Sequence, residues 1–395
     1  MLAPVDVLRQ SGSSYSADRA VNRAGSGRSG DGWVVGLQTQ KMLEGTTEPV
    51  DVFFRHMSRS IWNRAVALTV ASVVLMGCGA SPRTVSPPSP ASAPRTVSVP
   101  AQRTAKDVRI AAVGDMNPAR NVSKRSASGK NGAAIAAGLA NRSLDAFIGL
   151  GDFQYSTAYC RDYVKYWRKL WGGTKSKLYW VSAPNHDWQP GRNTDLDNFM
   201  NGQCRGDSSK SAINRQRGFI SNGTPYSRNF GNWHIAFLST ALWRYDTPRA
   251  RRVTKWLDHD LSTARAAGKH LGVVYHDAYF TSNTSSHSRA KQVKPWINVM
   301  YQHRVRFTLS GSQHNYERTC PVNNAGRCVA DGMTAFQVST GGVKLRSFTS
   351  RPSFIARRFS DTHGFIKLTL KANGSFQWKF QPVAGRGTDS GTRRR

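Results

Sequence analysis

Downstream of residue 105 the chain repeats one local pattern: a short apolar run that stops on a polar or ionisable side chain. Val108-Arg-Ile-Ala-Ala-Val113 stops at Gly114-Asp115, and Ala146–Leu150 stops at Gly151-Asp152. Leu178–Ser182 leads to Asn185-His186-Asp187, Leu271–Tyr275 to His276, and Phe307–Ser310 towards His314. Runs this short, with turn residues at their ends, read as strands buried on both faces. Helical spacing falls between them over Gly132–Asn141 and Thr247–Ala267, the latter with Trp256, Leu257 and Leu261 on one face. Hairpins are expected around Gly231-Asn232, between Tyr226–Phe230 and His234–Ser239, and around Asn373-Gly374, with a strand at Thr334–Thr340. Strands that alternate with helices specify layered α/β architecture, in which ligand sites collect at the carboxyl ends of the strands. The polar strand ends are therefore expected to converge. One domain over residues 106–383 accounts for the pattern, and residues 384–395 read as a basic tail.

The first 105 residues have a different character. Arg64-Ala-Val-Ala-Leu-Thr-Val-Ala-Ser-Val-Val-Leu-Met-Gly-Cys78 is the most apolar stretch, yet it falls short of the roughly 20 apolar residues that span a bilayer. Basic residues, an apolar stretch and small residues, in that order, give the form of an export signal over residues 57–77. Leu75-Met76-Gly77-Cys78 resembles the bacterial lipobox, which implies a lipid on Cys78 and anchorage to the outer face of the cell membrane. Met57 makes a normal start for such a signal, so residues 1–56 are expected to be a non-native or disordered extension. Residues 78–105 are rich in Pro, Ser and Ala and read as a flexible linker. Of the five cysteines, Cys160, Cys204, Cys320 and Cys328 remain after Cys78. An even number in an exported domain points to two disulfides with three possible pairings. Cys320 with Cys328, and Cys160 with Cys204, is the favoured one.

Carboxylate, amide oxygen and imidazole at successive strand ends are the donor types that hold hard and borderline metals. Two metals about 3.5–4 Å apart need a shared anionic ligand, and an aspartate can bridge them. In this order and setting the residues resemble the calcineurin-like metallophosphoesterases, in particular the purple acid phosphatases. The resemblance covers residues 108–383. It rests on Gly114-Asp115, Gly151-Asp152-Phe-Gln-Tyr155, Asn185-His186, His276 and Gly311-Ser-Gln-His314-Asn-Tyr-Glu-Arg318. Tyr155, three residues after Asp152, is the discriminating feature. Its phenol has an ordinary pKa of about 10, and its ionisation suits a strongly Lewis-acidic ion such as ferric iron.

The resemblance implies a layered β-sandwich flanked by helices and a dinuclear centre. Asp115, Asp152, Tyr155 and His314 would hold the first metal, Fe(III), with Asp152 bridging. Asn185 and His276 would hold the second, which would be Fe, Zn or Mn. His186 would contact phosphate and protonate the leaving oxygen, and its neighbour Asp187 is expected from adjacency to orient that imidazole. Asn117 stands where many metallophosphoesterases carry a ligand histidine, which the purple acid phosphatases also lack, using the tyrosine instead. Ser312 departs further, because the family has an imidazole there that binds the second metal; water or Gln313 would have to fill in. Glu317, the only glutamate after Cys78, is expected either to pair with a basic residue such as Arg318 or to orient His314.

The formal charge of +33 and the pI near 10.8 favour anionic partners. The basic residues are scattered, and no nucleic-acid recognition motif accompanies them. The expected activity is hydrolysis of phosphate monoesters by metal-activated hydroxide, on phosphorylated small molecules or envelope components. Two alternatives stand beside it: a phosphodiesterase on nucleotides or headgroups, and a binding lipoprotein that kept the fold but lost the second metal with Ser312. Oligomeric state leaves no mark in the sequence.

Overall fold

The computed structural model describes residues 106–120, 122–155, 159–181, 185–188, 195–218 and 223–395. The expected extension, export signal, Cys78 and linker lie outside these residues. Among the described residues no helix is long and apolar enough to cross a membrane.

Among the described residues thirteen strands occupy Val108–Val113 (β1), Ala146–Gly149 (β2), Leu178–Trp180 (β3), Tyr226–Phe230 (β4), Trp233–Phe237 (β5), His270–Asp277 (β6), Phe307–Gly311 (β7), Tyr316–Val322 (β8), Met333–Val338 (β9), Ile355–Phe359 (β10), His363–Leu370 (β11), Phe376–Ala384 (β12) and Ser390–Arg393 (β13). They form two sheets, ordered β13-β12-β11-β1-β2-β3 and β10-β8-β9-β7-β6-β5-β4. In the first, β1, β2 and β3 run parallel. In the second, β5, β6, β7 and β9 run parallel. These parallel strands place Asp115, Asp152, His276 and the Gly311–His314 loop at their carboxyl ends.

Alternation along the strands separates two cores. Val274 faces a cluster shared by both sheets, joined by Phe147, Phe237, Leu309, Phe336 and Phe380. Its neighbours Val273 and Tyr275 face a second cluster with Leu257, Leu261, Trp296 and Ile297, from the helices Thr247–Ala266 and Lys294–Gln302. The helix Ala127–Ala140 covers the outer face of the first sheet. The result is four layers, with helices outside and two sheets inside, as expected. Phe376 ties the sheets together through ring contacts with Trp233 and Phe307, at 5.9 and 5.4 Å between centroids.

Both favoured disulfides form, Cys160–Cys204 and Cys320–Cys328. The tail reading of residues 384–395 needs correction. Ser390–Arg393 pairs antiparallel with β12 as the edge strand β13. Asp389 pins it, accepting from Tyr316 Oη at 2.7 Å, Arg318 Nε at 2.7 Å and Trp378 Nε1 at 3.1 Å. Ser-Gly-Thr-Arg has no apolar face, so the strand has no periodic signal in sequence.

Candidate metal centre

The strand ends are strained in a way that aims their side chains inward. Six non-glycine residues among those described have positive φ, and four lie here: Asp115 at 57°, Asp152 at 52°, Ser312 at 79° and His314 at 54°. The left-handed region costs an L-residue about 1–2 kcal/mol, so the surrounding bonds must impose it. They do so by lacing the first two loops together. Asp115 N donates to Gly151 O at 3.0 Å, Met116 N to Asp152 O at 2.9 Å, and Tyr155 N to Asn117 O at 2.9 Å. Glycine is required where a third loop presses on them: a Cβ on Gly341 would lie 2.4 Å from Gly114 O.

The six expected ligands converge. Tyr155 Oη lies 2.7 Å from Asp115 Oδ1, 2.5 Å from Asp152 Oδ2 and 3.2 Å from His314 Nε2. His314 Nε2 is 3.3 Å from Asp115 Oδ1, and His276 Nε2 is 3.4 Å from Asp152 Oδ2. Asn185 Oδ1 stands 3.1 Å from His276 Nε2. Ligand atoms of Asp115, Asp152 and His276 fall within 4.8 Å of one another, and all three residues are buried. Asp152 touches both halves of the cluster, which is what a bridging ligand must do.

The donor set fits a metal pair. His276 Nδ1 donates to Leu150 O at 2.8 Å, and His314 Nδ1 donates to Lys344 O at 3.1 Å. A carbonyl only accepts, so both rings are fixed with Nε2 facing the cluster. Backbone clamps of this kind orient metal-binding imidazoles. The charges agree. Burial alone would raise the carboxyl of Asp115, but His314 and His276 hold it well below the ordinary range. Burial likewise opposes ionisation of Asp152, and His276 overcomes it. His276 is raised despite burial, chiefly by Asp152. Burial, with Asp115 and Asp152 behind it, pushes Tyr155 well above its ordinary value. Without a metal, protons on the His276 imidazole and the Tyr155 phenol do the neutralising. A bound cation would displace them, since metal binding to such groups releases protons.

Asn117 is occupied elsewhere, with its Nδ2 donating to Gln154 Oε1 at 2.6 Å. His186 sets its ring against Tyr155, tilted by 40° with centroids 4.3 Å apart, and its backbone N donates to Asp152 Oδ1 at 3.0 Å. The expectation that Asp187 orients the His186 ring is corrected. Its carboxylate accepts from Phe153 N at 2.9 Å, Gln154 N at 3.4 Å and Tyr163 Oη at 2.5 Å, so it anchors the Asp152–Tyr155 turn. Adjacent residues in a turn point different ways, and sequence adjacency misled there. Glu317 neither orients His314 nor pairs with Arg318; the basic residue that acts on it is Arg358, its cross-strand partner on β10. The Glu317 carboxylate is buried against Ser282 N at 2.7 Å and the hydroxyls of Thr281 and Ser282, while Arg318 pairs with Asp389.

Ser312 donates its hydroxyl to Asp277 Oδ1 at 3.1 Å, and Asp277 Oδ2 accepts from Thr240 Oγ1 at 2.6 Å. A carboxylate therefore lies beside the position of the missing imidazole. Gln313 is tied to Ser288 O through Nε2 at 3.3 Å. Beyond His314 lie His287, with ring centroids 5.9 Å apart, and Arg346, whose Nη1 is 2.8 Å from His287 Nδ1. Burial and then Arg346 push His287 down to about 4, so it is neutral at physiological pH. Sequence reading missed Asp277, His287, Arg346 and Ser339, whose hydroxyl bonds Asp115 Oδ2. Only Asp277, next to His276, carried a positional hint.

No protein-family model and no curated protein sequence matches the chain. Solved structures do. A purple acid phosphatase from yellow lupin (Lupinus luteus) seeds superposes with TM-score 0.51 at 18% identity, over 73% of this chain and 54% of that one. GAP50, the anchor in the inner membrane complex of Plasmodium, superposes with TM-score 0.53 at 16% identity, over 73% of this chain and 90% of that one. The chain thus spans about half the length of the lupin protein. At such identities the likeness is one of fold: a mixed α/β, metallophosphoesterase-like architecture of two sheets flanked by helices.

Proposed function

We propose that this chain is a metal-dependent phosphoesterase that hydrolyses phosphate monoesters at a two-metal centre. The observation that carries the reading is the convergence of Asp115, Asp152, Tyr155, Asn185, His276 and His314 on one buried point, with both imidazoles clamped Nε2-inward. The lupin protein of the same fold is itself a purple acid phosphatase. Asp115, Asp152, Tyr155 and His314 would hold the first metal, ferric iron by the tyrosine's chemistry. Asp152, Asn185 and His276 would hold an Fe, Zn or Mn ion, with Asp277 beside Ser312 supplying the negative charge where the imidazole is missing. Bound metals of this kind polarise phosphoryl oxygens and ionise an attacking water near neutral pH.

The chain's own residues do the rest. His186 is half-buried over the Tyr155 ring, and among the described residues its ring nitrogens make no hydrogen bond. It is free to hand a proton to the leaving oxygen. Arg346 has no carboxylate partner among the described residues and reaches His287 and Ser312 O, at 2.8 and 3.5 Å. Its guanidinium suits the dianionic end of a monoester. We further propose export and lipid anchorage through Cys78. The two disulfides support it, because such bonds persist in oxidising compartments.

A second reading is favoured by Ser312: the fold retained for binding, with weak or no catalysis. GAP50, of the same fold, is described as an anchor. Purified chain assayed with p-nitrophenyl phosphate and its bis ester, supplemented with Fe, Zn or Mn, separates the readings. Monoester turnover supports the first proposal. Preference for the bis ester redirects it to diesters, and no turnover with any metal favours binding. A visible charge-transfer band that disappears in Tyr155→Phe supports tyrosinate on iron; its absence from the iron-loaded chain counts against that ligand.

A further inference from the structure

We infer a second anion site, separate from the metal centre, that takes a small molecule carrying two or more phosphate groups. A cavity of about 330 Å³ opens where Arg265 and Lys269, Arg304 and Arg306, and Arg395 come together around His270. That size is within the range of small-molecule sites. His270 begins β6 and His276 lies six residues along it. At about 3.3 Å per residue, the cavity is roughly 20 Å from the metal centre, at the opposite end of the sheet.

The cations converge from separate segments of the chain without acidic compensation. Among the described residues none of these five side chains pairs with a carboxylate. Their partners are backbone carbonyls: Gln302 O for Arg265 at 3.5 Å, Gly231 O for Lys269 at 3.2 Å and Arg394 O for Arg306 at 2.5 Å. Asp258 is taken by His303 at 2.6 Å, and Asp260, which shares a neighbouring cavity with Lys269, is taken by His234 at 2.8 Å. Arg306 Nε is buried with no hydrogen-bond partner at all. A buried donor left unmade is costly, and guanidinium groups match phosphate oxygens in pairs. Burial, and then the charges of Arg393 and Arg395, push the Arg306 guanidinium below its ordinary value. Several positive charges around one concavity call for several negative charges on one ligand.

The test is isothermal titration of the purified full chain with inorganic tripolyphosphate in about 150 mM salt, where long-range surface attraction is screened. A discrete site is expected. Arg306→Gln should weaken it about tenfold, the loss of one charge-assisted contact of about 1.4 kcal/mol. Arg395→Gln, at an exposed position that the core does not need, should weaken it several-fold. Arg251→Gln with Arg252→Gln, an exposed pair on the helix Thr247–Ala266, removes more charge and should leave affinity within about twofold. Asp152→Asn should also leave it unchanged. If the exposed pair weakens binding as much as Arg306→Gln does, the attraction is diffuse and no site exists. If binding disappears with Asp152→Asn, the signal belongs to the metal centre and the inference fails.

Discussion

Asp187 offers the sharpest perturbation, because its role in the structure differs from the one adjacency implied. It is 2% exposed and accepts from Phe153 N, Gln154 N and Tyr163 Oη. Phe153 and Tyr163 are themselves fully buried, so no water replaces a lost acceptor. Asp187→Ala leaves at least two donors unmet at about 1–3 kcal/mol each. Removing the buried carboxylate offsets part of this, since burial and then the Asp152 charge raise Asp187 to about 7. The net expected loss is about 3 kcal/mol, readable by urea unfolding followed by circular dichroism. Asp187→Asn retains one acceptor oxygen but turns an N–H₂ towards a donor, and should cost about half as much. Both variants should bind the first metal more weakly, because the turn presenting Asp152 and Tyr155 loosens. Asp187→Asn should thus regain about half of the stability that Asp187→Ala loses. Unchanged stability in both variants would refute the reasoning, because it would mean that no buried donor depends on Asp187.

Three other outcomes follow from the same physical picture. Burial pulls Lys175 down to about 8 against the Asp207 carboxylate 3.1 Å away. A lysine depressed on folding binds fewer protons in the native state, so stability should rise by up to about 3 kcal/mol between pH 8 and 10.5. Lys175→Met should flatten that rise in urea titrations. Gly341→Ala sets a Cβ 2.4 Å from Gly114 O and 2.9 Å from Asp115 O, both backbone atoms. It should cost about 2–3 kcal/mol and lower metal content, whereas the same change at Gly268, with open space around it but φ at +72°, should cost only the roughly 1–2 kcal/mol of the left-handed backbone and leave metal content unchanged. Asp277→Asn should reduce occupancy of the second metal while sparing the first, and Ser312→His should raise it. Equal loss of both metals in Asp277→Asn would mean that Asp277 only supports the loops.

The site was legible in the sequence to the extent that chemistry sits at fixed distances from a strand. Gly114-Asp115, Gly151-Asp152 and Tyr155 three residues on are local patterns, and the parallel strands bring them together. The layered α/β architecture followed from the alternation of short apolar runs with helices, and the two-sheet sandwich from the family resemblance. Contacts between distant segments were not legible. Ser339 and Arg346 reach the cluster from beyond β9, and nothing in their own neighbourhoods marks them. Glu317 stood out by rarity, but its partners Thr281 and Ser282 lie on a loop after β6 that no spacing points to. The edge strand β13 escaped notice because an edge can be held by hydrogen bonds and one aspartate instead of apolar burial.

The central claim is that six strand-end residues make a two-metal centre. Its most direct measurement is metal content per chain by inductively coupled plasma mass spectrometry, on wild type and Asp152→Asn purified after Fe, Zn or Mn supplementation. The account predicts close to two metals per wild-type chain. In Asp152→Asn it predicts fewer than one, with the circular dichroism spectrum preserved. Trace metal in the wild type under every supplement, or a content that Asp152→Asn leaves unchanged, would contradict it.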